Sequence, residues 1–205
     1  MDPIRNPYTP NAGAQPTTLV GRSPQLDSFD LLLGRLKLGR PEQSMIIKGL
    51  RGVGKTVLLG QFRQKALEAN WVVLELEVQK NDDTEFRRTI ASRTRTALLE
   101  LSPKARWTER ATAAAAVLKS FSLSIDPSGA LQLGFDGAPA EGQADHGELS
   151  LDLTDLFVAV GEAAQSAGRG LVLLFDEVQF LTRSQLEAVI AAMHKTVQRK
   201  LPITM

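Results

Sequence analysis

Apolar residues recur at helical spacing along some stretches of the chain and alternate with polar ones along others. One run, Leu171-Val-Leu-Leu-Phe175, contains no polar residue at all. Such a run suits a central parallel strand covered on both faces. Met45-Ile-Ile47, bounded by Ser44 and Lys48, fits a short buried strand that feeds the glycine-rich segment behind it. From Trp71 to Val78 the pattern alternates, with Val72, Leu74, Leu76 and Val78 on one side and Glu75 and Glu77 on the other. That predicts a strand with one better-buried face.

Helices fill the intervals. Leu26, Phe29, Leu33 and Leu36 predict a helix that starts at Ser23-Pro24, with Ser23 as N-cap and Pro24 at the first helical position, and ends near Gly39. Val57, Leu58, Phe62, Ala66 and Leu67 predict a second, from Lys55 to about Ala69, with Asn70 as its C-terminal cap. Thr84 to Leu101, capped by Thr84, and Pro103 to about Lys119, rich in alanine, read as a helical pair. Leu153, Leu156, Phe157, Val160 and Ala164 mark another helix, closed by Gly168, and Ser184 to Lys200 forms the last.

Phe121-Ser-Leu-Ser-Ile125 and Leu131-Gln-Leu-Gly-Phe135 alternate around the turn-forming Asp126-Pro-Ser-Gly129, which predicts an inserted β-hairpin. Residues 136 to 149 lack periodicity and lean acidic, the signature of a mobile loop. Residues 1 to 19, rich in Pro, Asn, Gly and Thr, read as an extended arm. Leu201-Pro-Ile-Thr-Met205 resembles the start of a further strand, so the chain is expected to stop inside its fold. The order of elements implies one α/β domain over residues 20 to 205, three-layered around a mainly parallel sheet, with an insert at 121 to 149 and a cut at the strand near 201.

Composition narrows the class. At 205 residues, with 43% apolar and 23% charged residues, the chain has the balance of an ordinary globular protein. Lys and Arg number 24 against 23 Asp and Glu, so no global basic field draws in nucleic acid. The absence of cysteine excludes disulfides, thiolate ligands and cysteine nucleophiles. With no apolar run long enough for a membrane span and no signal-like start, a cytoplasmic location is expected.

The chemistry concentrates in two motifs. Gly49-Leu50-Arg51-Gly52-Val53-Gly54-Lys55-Thr56 satisfies the complete phosphate-loop pattern, between a predicted strand and a predicted helix that includes Val57. Glycines let the backbone curl so that several N–H groups converge on a phosphate, and the helix that follows adds the positive end of its dipole. Lys55 can reach the β- and γ-phosphates, and the Thr56 hydroxyl is placed to ligate Mg²⁺. This loop alone admits ATP or GTP. The second motif is the apolar strand Leu171 to Phe175 ending in Asp176-Glu177. Asp176 would hold Mg²⁺ through its water shell, and Glu177 would orient and deprotonate an attacking water.

With these residues in place the chain resembles the AAA-type P-loop ATPases, in particular the group with an origin-recognition-like ATPase domain. Leu19-Val20-Gly21-Arg22, Gly49 to Thr56, and Leu171 to Gln179 with its Asp-Glu-Val-Gln ending carry the resemblance. The resemblance implies that Val20, Gly21 and Arg22 lie near an adenine, which favours ATP; no guanine-selecting Asn-Lys-x-Asp is present either. It further implies a sensor residue on the next strand, an arginine finger and a helical lid, for which the chain up to Met205 shows no counterpart.

The remaining candidates read as structural. His194 lies inside the last helix, His146 in the acidic loop as a solvated side chain, and Lys195, Arg199 and Lys200 complement a helix C-terminus. Arg87, Arg88, Arg93 and Arg95 read as a solvated helix face, with a neighbouring subunit or nucleic acid as the other options. Three functions therefore stand open: Mg-dependent ATP hydrolysis, an ATP-dependent switch or assembly module that turns over slowly or not at all, and a DNA-bound initiator-like regulator. Homo-oligomer and partner protein are both compatible with the sequence, whereas a membrane is not called for.

Overall fold

A computed structural model of the chain describes residues 21–50, 52–80, 82–102, 108–125, 134 and 137–205. In chain order the elements are α1 (Ser23–Lys37), α2 (Lys55–Glu68), β1 (Val72–Glu77), α3 (Asp83–Leu101), α4 (Glu109–Leu123), α5 (Leu149–Ser166), β2 (Leu171–Asp176), a 3₁₀ turn (Val178–Phe180), α6 (Arg183–Gln198) and β3 (Ile203–Thr204). The strands form a parallel sheet in the order β1-β2-β3, with Val72 opposite Leu171 and Glu77 opposite Asp176.

The period of two in β2 decides the layering. Leu171, Leu173 and Phe175 join Val72, Leu74, Leu76 and Val78 of the β1 strand segment in a core with apolar side chains of α3, α4, α5 and α6. Val172 and Leu174 point the other way, into a core with Phe29, Leu33 and Leu36 of α1 and Leu58, Phe62 and Ala66 of α2. Both faces of the strand are thus covered, as its uninterrupted apolar run requires. The result is helices, sheet, helices. Fully burying each such side chain contributes about 1.5–3 kcal/mol relative to exposure. Phe29 stacks on Phe62 at a centroid distance of 4.3 Å and ties α1 to α2.

Several boundaries differ from expectation for physical reasons. Residues 41–50 contain no regular strand. Met45 nevertheless donates its N–H to the Met205 carbonyl at 3.0 Å, and the Met205 N–H donates to Ser44 Oγ at 3.2 Å. The expected strand is therefore a segment lying beside β3, too sparsely bonded among the described residues to make a ladder. The α1 N-cap is Arg22 rather than Ser23, and no side chain caps that end. The α3 N-cap is Asp82, whose carboxylate accepts from the Glu85 N–H at 2.9 Å, and not Thr84. The α2 C-cap is Ala69 rather than Asn70, which follows it at a left-handed φ of 63°.

The hairpin insert requires correction. Phe121–Leu123 continues α4, and Phe121 is buried in the larger core, so the apparent alternation there is the inner face of a helix. The second predicted strand and the turn lie outside the described residues apart from Gly134, as do the N-terminal arm, Val20 and Arg51.

The loop expected to be mobile is held instead. Within residues 137–148, Ala140 N–H donates to Ala116 O and Ser120 Oγ to Ala140 O. Ala144, fully buried, donates its N–H to Asp155 Oδ2 at 3.0 Å, and His146 donates its N–H to Asp152 Oδ1 at 2.9 Å. The His146 ring also meets Asp155 at 2.9 Å, so this exposed side chain has a protein partner as well as solvent. Contact with Asp155 raises its pKa above the ordinary 6.5, with Asp152 and Asp145 adding to the effect against a smaller opposing pull from burial. Asp152 is wholly buried and accepts from Arg87 Nη1 at 2.7 Å, while the Arg87 guanidinium sits over the Phe121 ring at 5.4 Å. The basic face predicted on α3 is therefore split, since Arg87 points inward and Arg88 outward toward Glu85. Among the described residues no helix is long and apolar enough to cross a membrane.

Candidate functional site

The phosphate loop and the β2 terminus meet at the carboxyl ends of the strands. Gly54, at φ 79° and ψ 29°, is the α2 N-cap, and Gly52 lies at φ 82°. Both conformations are left-handed and cost a Cβ-bearing residue about 1–2 kcal/mol. Gly49 packs closely, since a Cβ there would stand 3.0 Å from Val53 Cγ2 and require that side chain to give. The loop is thus an open cradle ahead of a helix N-terminus, a backbone arrangement that favours anions.

Thr56 stands on the first turn of α2 and donates its hydroxyl to Asp176 Oδ2 at 2.8 Å across 120 positions of sequence. Asp176 is the last residue of β2, brought there by pairing of that strand with β1. Its other oxygen accepts the Glu177 N–H at 2.9 Å. Glu177 itself sits at φ 59° and ψ 35°, a left-handed conformation for a non-glycine residue, at the junction between strand and 3₁₀ turn. Strain of this kind persists only where surroundings enforce it, and it is concentrated at functional sites. The Glu177 carboxylate accepts a hydrogen bond from Gln179 Nε2.

Lys55 folds back over the loop and donates to the carbonyls of Gly49 and Leu50 at 3.1 and 2.8 Å. Arg22 Nη2 donates to the Val53 carbonyl at 2.6 Å, which fastens the start of α1 to the loop. Gly21, at φ 77°, precedes it. A cleft of about 950 Å³ opens beside this assembly, with Gly49, Lys55 and Glu177 among its walls.

Of the residues singled out from sequence, Lys55, Thr56, Asp176, Glu177 and the described glycines converge, and Arg22 reaches the same loop from α1. Val57 lies one residue further along α2, half-buried. His194 and the α6 cations take no part. His194 is exposed within 3.5 Å of Gln198, Arg199 is paired with Glu162 at 2.9 Å, and Lys195 lies in the last turn of α6. Sequence reading missed Lys48, Gln79, Lys80 and Phe180, which line the cleft. No local pattern marks them, because strand pairing alone carries the segment after β1 alongside Glu177.

Comparison with known proteins agrees with this geometry. The model of a family described as AAA ATPase domain matches residues 18–205. No curated protein and no solved structure matches the chain.

Proposed function

The chain belongs to the AAA ATPase domain family, whose members bind ATP, and we propose that it binds ATP with Mg²⁺ at the Gly49–Thr56 cradle and hydrolyses the β–γ bond. The observation that carries this reading is the Thr56–Asp176 contact at 2.8 Å, which pairs a hydroxyl and a carboxylate at the lip of the phosphate loop. Hard oxygen donors of this kind suit Mg²⁺, which at phosphate sites takes one or two carboxylates and completes its shell with phosphate and water. No cluster of three or more His, Cys, Asp or Glu exists among the described residues, and none is required by such a site. When bound, the ion would neutralise charge on the phosphate oxygens.

The roles of the protein groups follow from their positions. Lys55 would exchange its two loop carbonyls for β- and γ-phosphate oxygens. Thr56 and Asp176 would hold the metal, with Asp176 acting through water. Glu177 would take the proton of the attacking water as the new P–O bond forms and the β–γ bridge oxygen leaves with ADP. Arg22 and Gly21, with Val20, would flank the adenine. Membership of the origin-recognition-like group is a finer assignment that rests on the resemblance carried by Leu19 to Arg22, Gly49 to Thr56 and Leu171 to Gln179.

Binding of fluorescent ATP to the wild type and to Lys55→Ala tests the site. The variant is expected to lose binding, and undiminished affinity would sink the assignment. In Glu177→Gln, binding should persist while phosphate release falls about 10²–10⁴-fold. One observation favours the slow switch as the second reading. One Glu177 carboxylate oxygen is engaged by Gln179, a contact that a water-activating role would have to share or release. A wild-type phosphate-release rate no higher than that of Glu177→Gln selects the switch.

A further inference from the structure

We propose that Lys80 is a second phosphate-binding cation, one that contacts the terminal phosphate of the bound nucleotide and so distinguishes ATP from ADP. The inference rests on the nucleotide reading above and deepens it. Its first support is position. The Val78 N–H donates to the Asp176 carbonyl at 3.0 Å, which continues the β1–β2 pairing one residue beyond the strands. Val78 is therefore held beside Asp176, and Lys80, two residues on, lines the same cleft as Gly49, Lys55 and Glu177.

The second support is that its charge is uncommitted. Elsewhere on this side of the domain Lys65 is paired with Asp30, Arg63 with Glu75 and Arg35 with Glu42. Lys80 has no carboxylate within ion-pair distance among the described residues. Its ammonium instead stands 5.9 Å from the centroid of Phe180, which lines the same cleft. A ring face attracts a cation without neutralising it, so this contact parks the ammonium while leaving its charge available.

The third support is the shape of the demand. A bound triphosphate has its most negative end at the γ-phosphate, and charge there is further redistributed as the phosphoryl group transfers. Among the described residues of the loop, Lys55 is the cation. A flexible lysine from the β1 end, on a long unbranched stem, supplies a second point charge to the same cleft. The γ-phosphate would draw Lys80 off Phe180, whereas ADP offers nothing at that end of the cleft.

Calorimetric titration with ADP and with a β,γ-imido ATP analogue, in Mg²⁺ buffer, tests this on wild type, Lys80→Met and Lys80→Arg. Lys80→Met is expected to weaken the imido analogue about tenfold, the value of one charge-assisted hydrogen bond, while leaving ADP affinity unchanged. Lys80→Arg should restore most of the difference. Equal weakening of both nucleotides, or of neither, overturns the proposal. Lys55→Ala in the same series separates this outcome from failure of the nucleotide site itself, because only the latter lets that variant bind normally.

Discussion

Replacing Asp152 with alanine removes the carboxylate that anchors two parts of the domain. Its Oδ2 accepts from the Arg87 guanidinium at 2.7 Å, and its Oδ1 accepts from the His146 N–H at 2.9 Å. The His146 N–H belongs to an exposed residue and can turn to water. The guanidinium cannot, since Arg87 is 9% exposed and packed over Phe121. Leaving one member of a buried pair uncompensated costs about 3–5 kcal/mol, and the slight access of water to Arg87 places this site toward the lower end. With a urea m-value of about 2 kcal/mol/M, the unfolding midpoint should fall by about 1.5 M. Equilibrium urea unfolding followed by circular dichroism measures it. A shift below about 0.5 M would refute the reasoning, because it would mean the guanidinium finds solvent. The double variant Arg87→Met with Asp152→Leu should recover most of the loss, since apolar pairs often replace buried ion pairs without penalty.

Two further outcomes follow from the same packing. Because His146 gains Asp155 as a partner on folding, its folded pKa lies above the unfolded one, so its stabilising contribution is complete below about pH 6.5 and disappears as pH rises through the folded value. NMR titration of the ring should show a raised midpoint that Asp155→Asn lowers, and an unmoved midpoint would remove Asp155 as the cause. Gly170→Ala would set a Cβ 2.3 Å from Trp71 Cε3, against a ring that is 2% exposed and whose backbone N–H is bonded to Ala66 O. Overpacking there should cost about 1–3 kcal/mol and lower the melting temperature by about 2–4 °C per kcal/mol. An unchanged melting curve would show that the indole can shift aside.

Local sequence marked the candidate phosphate site because the proposed chemistry depends on residue type at fixed spacing. Gly49, Gly54, Lys55 and Thr56 lie within one loop and the helix turn after it, and the apolar run Leu171 to Phe175 needs both its faces covered wherever it lies, so Asp176 and Glu177 at its end could be named from sequence. The helices at Ser23, Lys55, Leu153 and Ser184 were legible for the same reason, within a residue or a few of their ends. Where apolar spacing was ambiguous, the reading failed. Phe121, Leu123 and Ile125 alternate over too few residues to separate strand from helix, and the helix prevails because Phe121 has a core to fill. The acidic stretch 137–148 carries no periodic signal, yet it is ordered by Asp152 and Asp155, side chains borrowed from α5. The same limit applies at the site. That Thr56 touches Asp176 depends on α2 packing against β2, and that Lys80 lies in the same cleft as Glu177 depends on β1 pairing with β2. Pairing between strands some hundred residues apart is a property of the packed sheet, and no short window of sequence contains it.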